Sequence, residues 1–444
     1  MKVAWHFPHH RKAFISSHAS SSGTLLGDNF PPELITLKSG LRVVLQKIPH
    51  VQSCAVNVHV GVGSITETEE QAGISHLIEH MAFRGTDRRT EKQIYDTASF
   101  GGIEFNAATT EEHTRYYVVG HGSFAGTFVD LLLDMVFDPK FDPRKVRKEK
   151  KVVSLELEGR RDDIDAHRLD LVTELMFGKH PYGRNVIGTQ SSIRTFTPDI
   201  LSDYHGVTYV PGNVFLSIVG SFDTDAVTKA AESFDEFSVR DFIQEDIPVT
   251  ENFSGVVVRN RRSKVAHLGF YTLGVSIFNK DKYVIDLIDM ALDNPVKSRL
   301  QKSIVGKNHL AYSVSSDDDN SRFVGYYGVE VDSIKAELVG KVIDLIRSEF
   351  ERLKTRGITA DELDVLKKQC IAMHDSSDTL DETADALSQF ALYHGTVPSN
   401  TDYVKGINLT TVDDFRRVAN KIFNPKNYAV AIIGPKKRIG KISI

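Results

Sequence analysis

Two patterns of apolar and polar positions run along the chain. Mostly apolar runs at 214–219 and 428–433 each follow a Pro and an Asn and end at a Gly, which is typical of buried strands between turns. Elsewhere, apolar residues recur every three or four positions. One such stripe predicts an amphipathic helix and consists of Leu338, Val342, Leu345, Ile346, Phe350 and Leu353. Gly357 is expected to end this helix, and the Thr-Ala-Asp-Glu capping box at 359–362 to open the next.

The two strand-like runs belong to a longer internal repeat. Six residues return at one constant offset: Thr197, Asp199, Pro211, Asn213, Ile218 and Gly220 recur as Thr411, Asp413, Pro425, Asn427, Ile432 and Gly434. Each half has the same order of elements, namely a strand, a helix, further strands, and two helices separated by a short break. Strands grouped with helices on one side, without regular βαβ alternation, predict two related α+β domains rather than a doubly wound parallel sheet.

The domain bounds follow from the repeat and from composition. We predict a flexible leader at 1–28, a first domain at 29–237, a linker at 238–252 with several acidic residues, and a second domain at 253–444. With 444 residues, of which 41% are hydrophobic and 25% charged, the chain can bury two sizeable cores. Cys54 and Cys370 fall in different predicted domains, so we expect free thiols in a reducing compartment.

Charge and hydropathy exclude two classes of partner. The net charge is -5, and the basic clusters at 144–151, 259–264 and 436–441 are short, so we expect no nucleic-acid partner. The sequence contains no run of eighteen apolar residues, so we predict no membrane span. Residues 1–27 have no acidic side chain, several serines and three basic residues, which weakly resembles an organellar transit segment. Because the basic residues are few, we expect a cytoplasmic protein, with the mitochondrial matrix as the alternative.

The motif that carries chemistry is His76-Leu77-Ile78-Glu79-His80. On a helix, His76 and His80 lie one turn apart on the same side with Glu79 beside them. The two imidazoles can then share a tetrahedral zinc ion, and Glu79 is free to act as a base, which is the inverted His-x-x-Glu-His pattern. The apolar flanks predict a helix buried on one side, with its histidines on the other and Gly85 at its end. A helix with two surface histidines is the alternative.

A third zinc ligand has to come from elsewhere, because a catalytic zinc has three protein ligands and one open position. Asp142 and Pro143 are helix start signals. Glu149 and Glu156 follow at a spacing of two helical turns and therefore share a face, whereas Glu158 points elsewhere. On a helix rich in Lys and Arg, such glutamates are otherwise surface ion pairs, and the residues alone leave that alternative open.

From about residue 30 to 440 the chain resembles the pitrilysin/insulinase family, especially its short members related to the mitochondrial processing peptidase beta subunit and to bacterial two-chain homologues. The resemblance implies that His76 and His80 are ligands of one Zn²⁺ per chain and that Glu79 is the base. The family's third ligand, and an outer glutamate seven residues before it, correspond to Glu156 and Glu149. It further implies two domains that face each other as a clamshell around a chamber for peptides.

Two further segments resemble substrate-binding parts of that family. Residues 101–107 resemble its Gly-x-x-x-Asn-Ala edge strand, which implies that Asn106 and Ala107 help to hold substrate. Residues 298–314 resemble the segment that supplies an Arg and, seven residues later, a Tyr to the substrate carbonyl. Tyr312 is present, but Val305 stands at the Arg position. An oxyanion donor is worth about 2.7–4 kcal/mol, so its absence should matter.

The sequence therefore predicts a zinc metalloendopeptidase that acts on peptides or unfolded precursors. Because the Arg is missing, we predict the zinc-bearing subunit of a pair whose homologous partner supplies Arg and Tyr, or a homodimer. A non-catalytic scaffold, like the core subunits of the respiratory cytochrome complex that resemble this family, is the alternative. It has no need to retain all of His76, Glu79, His80, Glu149 and Glu156. A structural-zinc peptide-binding module is a third alternative, although such a site normally has a fourth Cys or His.

Overall fold

The computed structural model describes residues 30–234, 247, 249, 254–376, 379–398, 400–442 and 444. The predicted leader and most of the predicted linker lie outside these residues, and the exact domain bounds stay a prediction. Within the described part of the chain, no helix has the length and apolarity that crossing a membrane requires.

The first half is built on a six-stranded sheet. Its strands are β1 (Glu33–Thr36), β2 (Arg42–Lys47), β3 (Ser53–Val60), β4 (Gly102–Thr109), β5 (Thr114–His121) and β6 (Val214–Gly220). They are ordered β1-β2-β6-β3-β5-β4, and every neighbouring pair is antiparallel except β2 and β6. The predicted strand within 214–219 is β6, whose residues are all buried because it lies in the interior of the sheet.

The helices of the first half are α1 (Ile74–Ala82), α2 (Glu91–Ser99), α3 (Ala125–Phe137), α4 (Pro143–Arg160), α5 (Ile164–Phe177), α6 (Gln190–Thr195), α7 (Pro198–Thr208) and α8 (Thr224–Glu232). Short 3-10 turns lie at Ser64–Thr66, Gly122–Phe124, Pro181–Gly183 and Pro211–Asn213. Alternate side chains of β3, including Val56 and Val58, form one core with Leu77 of α1 and Leu132 of α3. The core thus fixes α1 against the sheet.

The second half repeats this plan around a five-stranded sheet. Its strands are β7 (Gly255–Asn260), β8 (Val265–Leu273), β9 (Ser313–Asn320), β10 (Gly325–Lys335) and β11 (Ala429–Gly434), in the order β7-β11-β8-β10-β9. Its helices are α9 (Lys282–Leu292), α10 (Val339–Arg356), α11 (Ala360–Ser376), α12 (Leu380–His394), α13 (Asn400–Leu409) and α14 (Val412–Ile422). A π-helical turn covers Gln301–Gly306, and 3-10 turns cover Ala336–Leu338, Pro425–Asn427 and Lys436–Arg438.

The sequence repeat corresponds to matching caps and strands. Thr197 caps α7 and Thr411 caps α14, each accepting a backbone N–H. Pro211 and Pro425 each begin a 3-10 turn that leads into β6 or β11. Both strands pair in parallel with one neighbour and antiparallel with the other. The prediction of two related α+β halves is therefore confirmed.

One expectation about the layers is wrong. Helices cover both faces of each sheet, because each half places one helix on the sheet of the other half. Helix α12 packs on β3 and β6, with Leu387 and Ala391 against Phe215, whereas α5 packs on β8 and β11. Helical periodicity predicts an apolar face but not the sheet that covers it.

Candidate metal centre

Helix α1 carries the His-x-x-Glu-His motif and begins at a glycine that no other residue could replace without strain. Gly73 has a φ of +89°, and a Cβ there would lie 2.2 Å from the carbonyl oxygen of Ile187. A glycine has no side chain to cap the helix. Glu67 supplies the missing acceptor, because its carboxylate accepts the N–H groups of Gly73 and Ser75 at 2.8 and 2.9 Å. The start of the motif helix is thus anchored at a buried carboxylate.

The expectation of a helix with an exposed histidine face is wrong. All nine residues of α1 are buried. The helix lies under α4, α7 and β4 as well as against the sheet, so elements distant in sequence cover the face that carries the histidines. It ends at Ala82, with Phe83 as its C-cap, before Gly85. The motif therefore lies in a desolvated environment, where charge interactions are strong.

Helix α4 begins as predicted and packs against α1. Asp142 is its N-cap and accepts the N–H groups of Arg144 and Lys145, at 2.9 and 3.0 Å. Glu149 is buried and faces the motif, whereas Glu158 is exposed. The two-turn spacing brings Glu149 and Glu156 to the same side of the helix, next to the histidines.

Three potential ligands converge. The Nε2 atoms of His76 and His80 lie 3.5 and 3.4 Å from the two carboxylate oxygens of Glu156. Candidate ligand atoms of the three residues all lie within 4.8 Å of one another. In a tetrahedral zinc site with bonds of about 2.0–2.1 Å, neighbouring ligand atoms are about 3.4 Å apart. The chemistry and the spacing of this donor set therefore fit zinc.

Glu149 and Arg84 hold His80 from the other side. The Nδ1 of His80 lies 3.3 Å from Glu149. When Nδ1 carries the proton and donates it to Glu149, the lone pair of Nε2 is directed toward Glu156. Arg84 in turn contacts both oxygens of Glu149, at 2.9 and 3.2 Å, and also donates to Glu91 at 2.7 Å. The ring orientation is thus fixed by a buried carboxylate and its own cation.

The two glutamates shift the protonation of His80. Burial alone would lower the pKa of His80, but the hydrogen bonds to Glu149 and Glu156 and the charge of Glu79 raise it to about 9. Burial raises the pKa of Glu156, but the hydrogen bonds with His76 and His80 outweigh this effect and bring it down to about 2. The protein without metal therefore places a proton where a cation would bind.

Glu79 lies beside the three ligands and takes part in a different contact. It is buried, and one of its carboxylate oxygens accepts a hydrogen bond from the Thr109 hydroxyl at 2.6 Å. Thr109 is the last residue of β4, the edge strand of the first sheet. The contact orients Glu79 and connects it to β4, an edge strand that packs against the motif helix.

The structure says less about the predicted substrate residues than about the potential metal ligands. Asn106 and Ala107 lie on β4, which packs beside α1. Tyr312 lies directly before β9, with 81% of its surface exposed. Val305 packs against the core of the second half, so no cation fills the Arg position. The roles of Asn106, Ala107 and Tyr312 in substrate binding stay predictions.

Sequence reasoning missed Glu67, Arg84 and Thr109. Arg84 follows His80 by four residues, a helical spacing that could have identified it. Thr109 depends on how β4 lies against α1, and Glu67 on the fold of the turn before α1, and neither has a local signal. These residues support the site without belonging to the motif.

Two related α+β halves with an inverted His-x-x-Glu-His helix against a glutamate helix define an architecture of inverted-motif metallopeptidases. Residues 42–190 match the family model described as Insulinase (Peptidase family M16), and residues 195–370 match the one described as Peptidase M16 inactive domain. The chain therefore belongs to the insulinase, or M16, peptidase family.

Relatives agree with this membership, and solved structures share the fold. An uncharacterized zinc protease of Bacillus subtilis is 27% identical over 90% of this chain and 97% of its own length. Another from Mycobacterium leprae is 29% identical over 90% of this chain and 91% of its own length. The fold is similar to that of a protease from Helicobacter pylori, with a TM-score of 0.80 at 23% identity over 91% of this chain and 100% of the other. A peptidase M16 inactive domain from Pseudomonas fluorescens gives a TM-score of 0.84 at 18% identity, over 93% and 100%.

Proposed function

We propose that this protein is a zinc-dependent endopeptidase that cleaves peptides or unfolded precursor segments. The observation that carries the proposal is the spacing of His76, His80 and Glu156, which fits the ligands of a tetrahedral ion, beside the buried carboxylate of Glu79. The names of the bacterial relatives, which are called zinc proteases, support the same metal and the same reaction class.

The residues of the site have different roles in the proposed hydrolysis. A zinc ion held by His76, His80 and Glu156 would lower the pKa of a bound water and polarise a substrate carbonyl. Glu79 takes the proton of the attacking water and later gives it to the leaving amine. Thr109 holds one carboxylate oxygen of Glu79, which leaves the other for the proton.

The substrate strand would lie along β4. As an edge strand, β4 has backbone N–H and C=O groups that can pair with an extended peptide. Such pairing is independent of the side chains of the peptide, so we expect broad selectivity between sequences. Asn106 and Ala107 lie in the part of this strand near Thr109 and would contact the residues next to the cleaved bond.

The experiment is to purify the chain, measure its metal content and follow cleavage of internally quenched peptides. We expect about one zinc per chain and, in Glu79→Gln, full zinc content with cleavage reduced by about 10²–10⁴-fold. Glu158→Gln is the matched control, because this glutamate is exposed on α4. Well-folded protein that contains no zinc as purified and takes up none when zinc is added, or a Glu79→Gln variant that cleaves like wild type, would contradict the proposal.

We further propose that a homologous partner subunit supplies the missing Arg donor; the alternative is a homodimer, which would lack that donor and be only weakly active. Val305 is packed into the second core, whereas Lys302 and Lys307 nearby are exposed. Addition of a homologue that has the Arg/Tyr pair should then raise the turnover number of the purified chain. Full turnover by the monomeric chain alone would refute the requirement for a partner.

A further inference from the structure

The turn between β4 and β5 is a hydrogen-bonded tip that directly follows Thr109, the residue bonded to Glu79. It covers residues 110–113, and we call it the hairpin tip. Thr110 N donates to His113 O at 2.9 Å, and the Thr110 hydroxyl donates to the same carbonyl at 3.0 Å and accepts the N–H of His113 at 3.1 Å. The tip therefore moves as one unit with Thr109, which directly precedes it and holds Glu79.

Glu112 ties the hairpin tip to three other segments. Its side chain is buried, and its two carboxylate oxygens accept the hydroxyls of Tyr182 and Tyr393 and, at 2.8 Å, the N–H of Arg322. Tyr393 lies on α12 and Arg322 in the turn between β9 and β10, so two of the three donors come from the second half. A carboxylate that accepts three hydrogen bonds in a buried place is held strongly, because each donor would otherwise be left unpaired.

The tip also contacts the segment that anchors α1. Its carbonyl groups at positions 110 and 111 accept the N–H groups of Ser64 and Ile65, at 3.2 and 2.7 Å. Gly63 allows this close approach, because a Cβ there would lie 2.3 Å from the carbonyl oxygen of Thr110. Glu67, the acceptor at the start of α1, follows two residues after Ile65. The tip is therefore joined both to Glu79 and to the start of the motif helix.

From these contacts we infer that Glu112 is a positioning residue through which the second half, which has no histidine on α9, sets the placement of Glu79. The donors on Arg322 and Tyr393 fix Glu112, Glu112 fixes the hairpin tip, and the tip holds Thr109 against Glu79. None of these groups has to touch metal or substrate. A change at Glu112 should therefore slow turnover while metal and substrate binding are preserved.

The test compares Glu112→Gln, Thr109→Val and their double variant, with turnover, KM, zinc content and hydrogen exchange as readouts. The kinetic readout rests on the proposed peptidase function. Each single change should reduce kcat about 10-fold, the effect of one ordinary hydrogen bond, with KM and zinc content unchanged. Because both changes act on one contact, the double variant should be no slower than the slower single variant. A multiplicative loss near 100-fold, or an unchanged kcat in Glu112→Gln, would overturn the inference.

Tyr393→Phe removes only a donor of the second half and serves if Glu112→Gln does not fold. Its matched control is Tyr428→Phe, another buried tyrosine of that half, whose hydroxyl donates to Phe423 O at 3.1 Å. We expect Tyr393→Phe, but not Tyr428→Phe, to lower kcat and to speed hydrogen exchange of residues 109–114. If the wild-type protein cleaves no peptide, alone or with a homologue that has the Arg/Tyr pair, the proposed function fails separately. Hydrogen exchange of residues 109–114 still tests the inference in that case. Unchanged exchange in Tyr393→Phe would refute the role of Glu112.

Discussion

Zinc binding to the metal-free protein should release close to one proton at pH 7. His80 has a pKa of about 9 because Glu149, Glu156 and Glu79 surround it, so its imidazole is protonated at pH 7. A zinc ligand has to be neutral imidazole, so the metal displaces this proton. Because the pKa of His80 lies about two units above pH 7, displacing its proton weakens the apparent zinc affinity about 100-fold, or about 2.7 kcal/mol. This is small beside the about 10–16 kcal/mol of a typical structural zinc site, so the metal still binds.

Calorimetry in buffers of different ionisation enthalpy measures the released proton directly. The apparent zinc affinity, measured by chelator competition, should rise about tenfold per pH unit from pH 7 to 9 and then level off. Glu149→Gln removes one of the charges that hold the proton, so it should release less than one proton at pH 7. Glu158→Gln, exposed on the same helix, should behave like wild type. An affinity independent of pH between 7 and 9, with no released proton, would refute the reasoning.

The same groups make the stability of the metal-free protein depend on pH. The raised pKa of His80 adds stability that is complete below its unfolded value near 6.5 and is lost as the pH rises through about 9. The lowered pKa of Glu156 adds stability that is present above about 4.5 and lost as the pH falls through about 2. The two groups titrate as one pair, so the contribution counts once. Urea unfolding of metal-free protein should give a maximum between these limits, and a monotonic rise up to pH 10 would contradict it.

Three further variants test the supports of the site and of the fold. Arg84→Met leaves Glu149 with His80 alone and should weaken zinc binding about 10–100-fold in chelator competition; unchanged affinity would argue against this role. Gly73→Ala should cost more than about 1 kcal/mol in urea unfolding because of its positive φ, whereas Gly159→Ala, with open space around it, should not destabilise. Arg168→Met removes a buried cation from the partly buried carboxylates of Glu330 and Asp332 on β10 and should cost about 1–3 kcal/mol, and an unchanged stability would refute that estimate.

Local spacing predicted which residues share a helix face, and the resemblance to the family selected Glu149 and Glu156 as the partners of the histidines. His76 and His80 are one turn apart, Glu149 and Glu156 are two turns apart, and Asp142 with Pro143 marks where the second helix begins. These features depend only on the geometry of a helix, which the sequence determines locally. The repeat was equally local, since its threonines and prolines are helix caps and turn starts in both halves.

The surroundings of the site could not be predicted in this way. The burial of α1 depends on β4, α4 and α7, which are distant from it in sequence. The contact of Thr109 with Glu79 depends on where the pairing of β4 with β5 ends. The hydrogen-bond donors to Glu112 are 70, 210 and 281 positions away in sequence. Periodicity predicts which face of an element is buried but not its neighbour.

The crossing helices illustrate how the chain nevertheless specifies its neighbours. Helix α5 brings Arg168 to Glu330 and Asp332 on the second sheet. Helix α12 has the opposite polarity, because its Asp385 lies 3.2 Å from the guanidinium of Arg115 on the first sheet. If either helix lay on the sheet of its own half, like charges or unpaired charges would be buried together, which costs several kcal/mol. Complementary charge therefore favours the crossed arrangement over the uncrossed one. The crossing places α12, and with it the donor to Glu112, beside the half that contains the metal ligands.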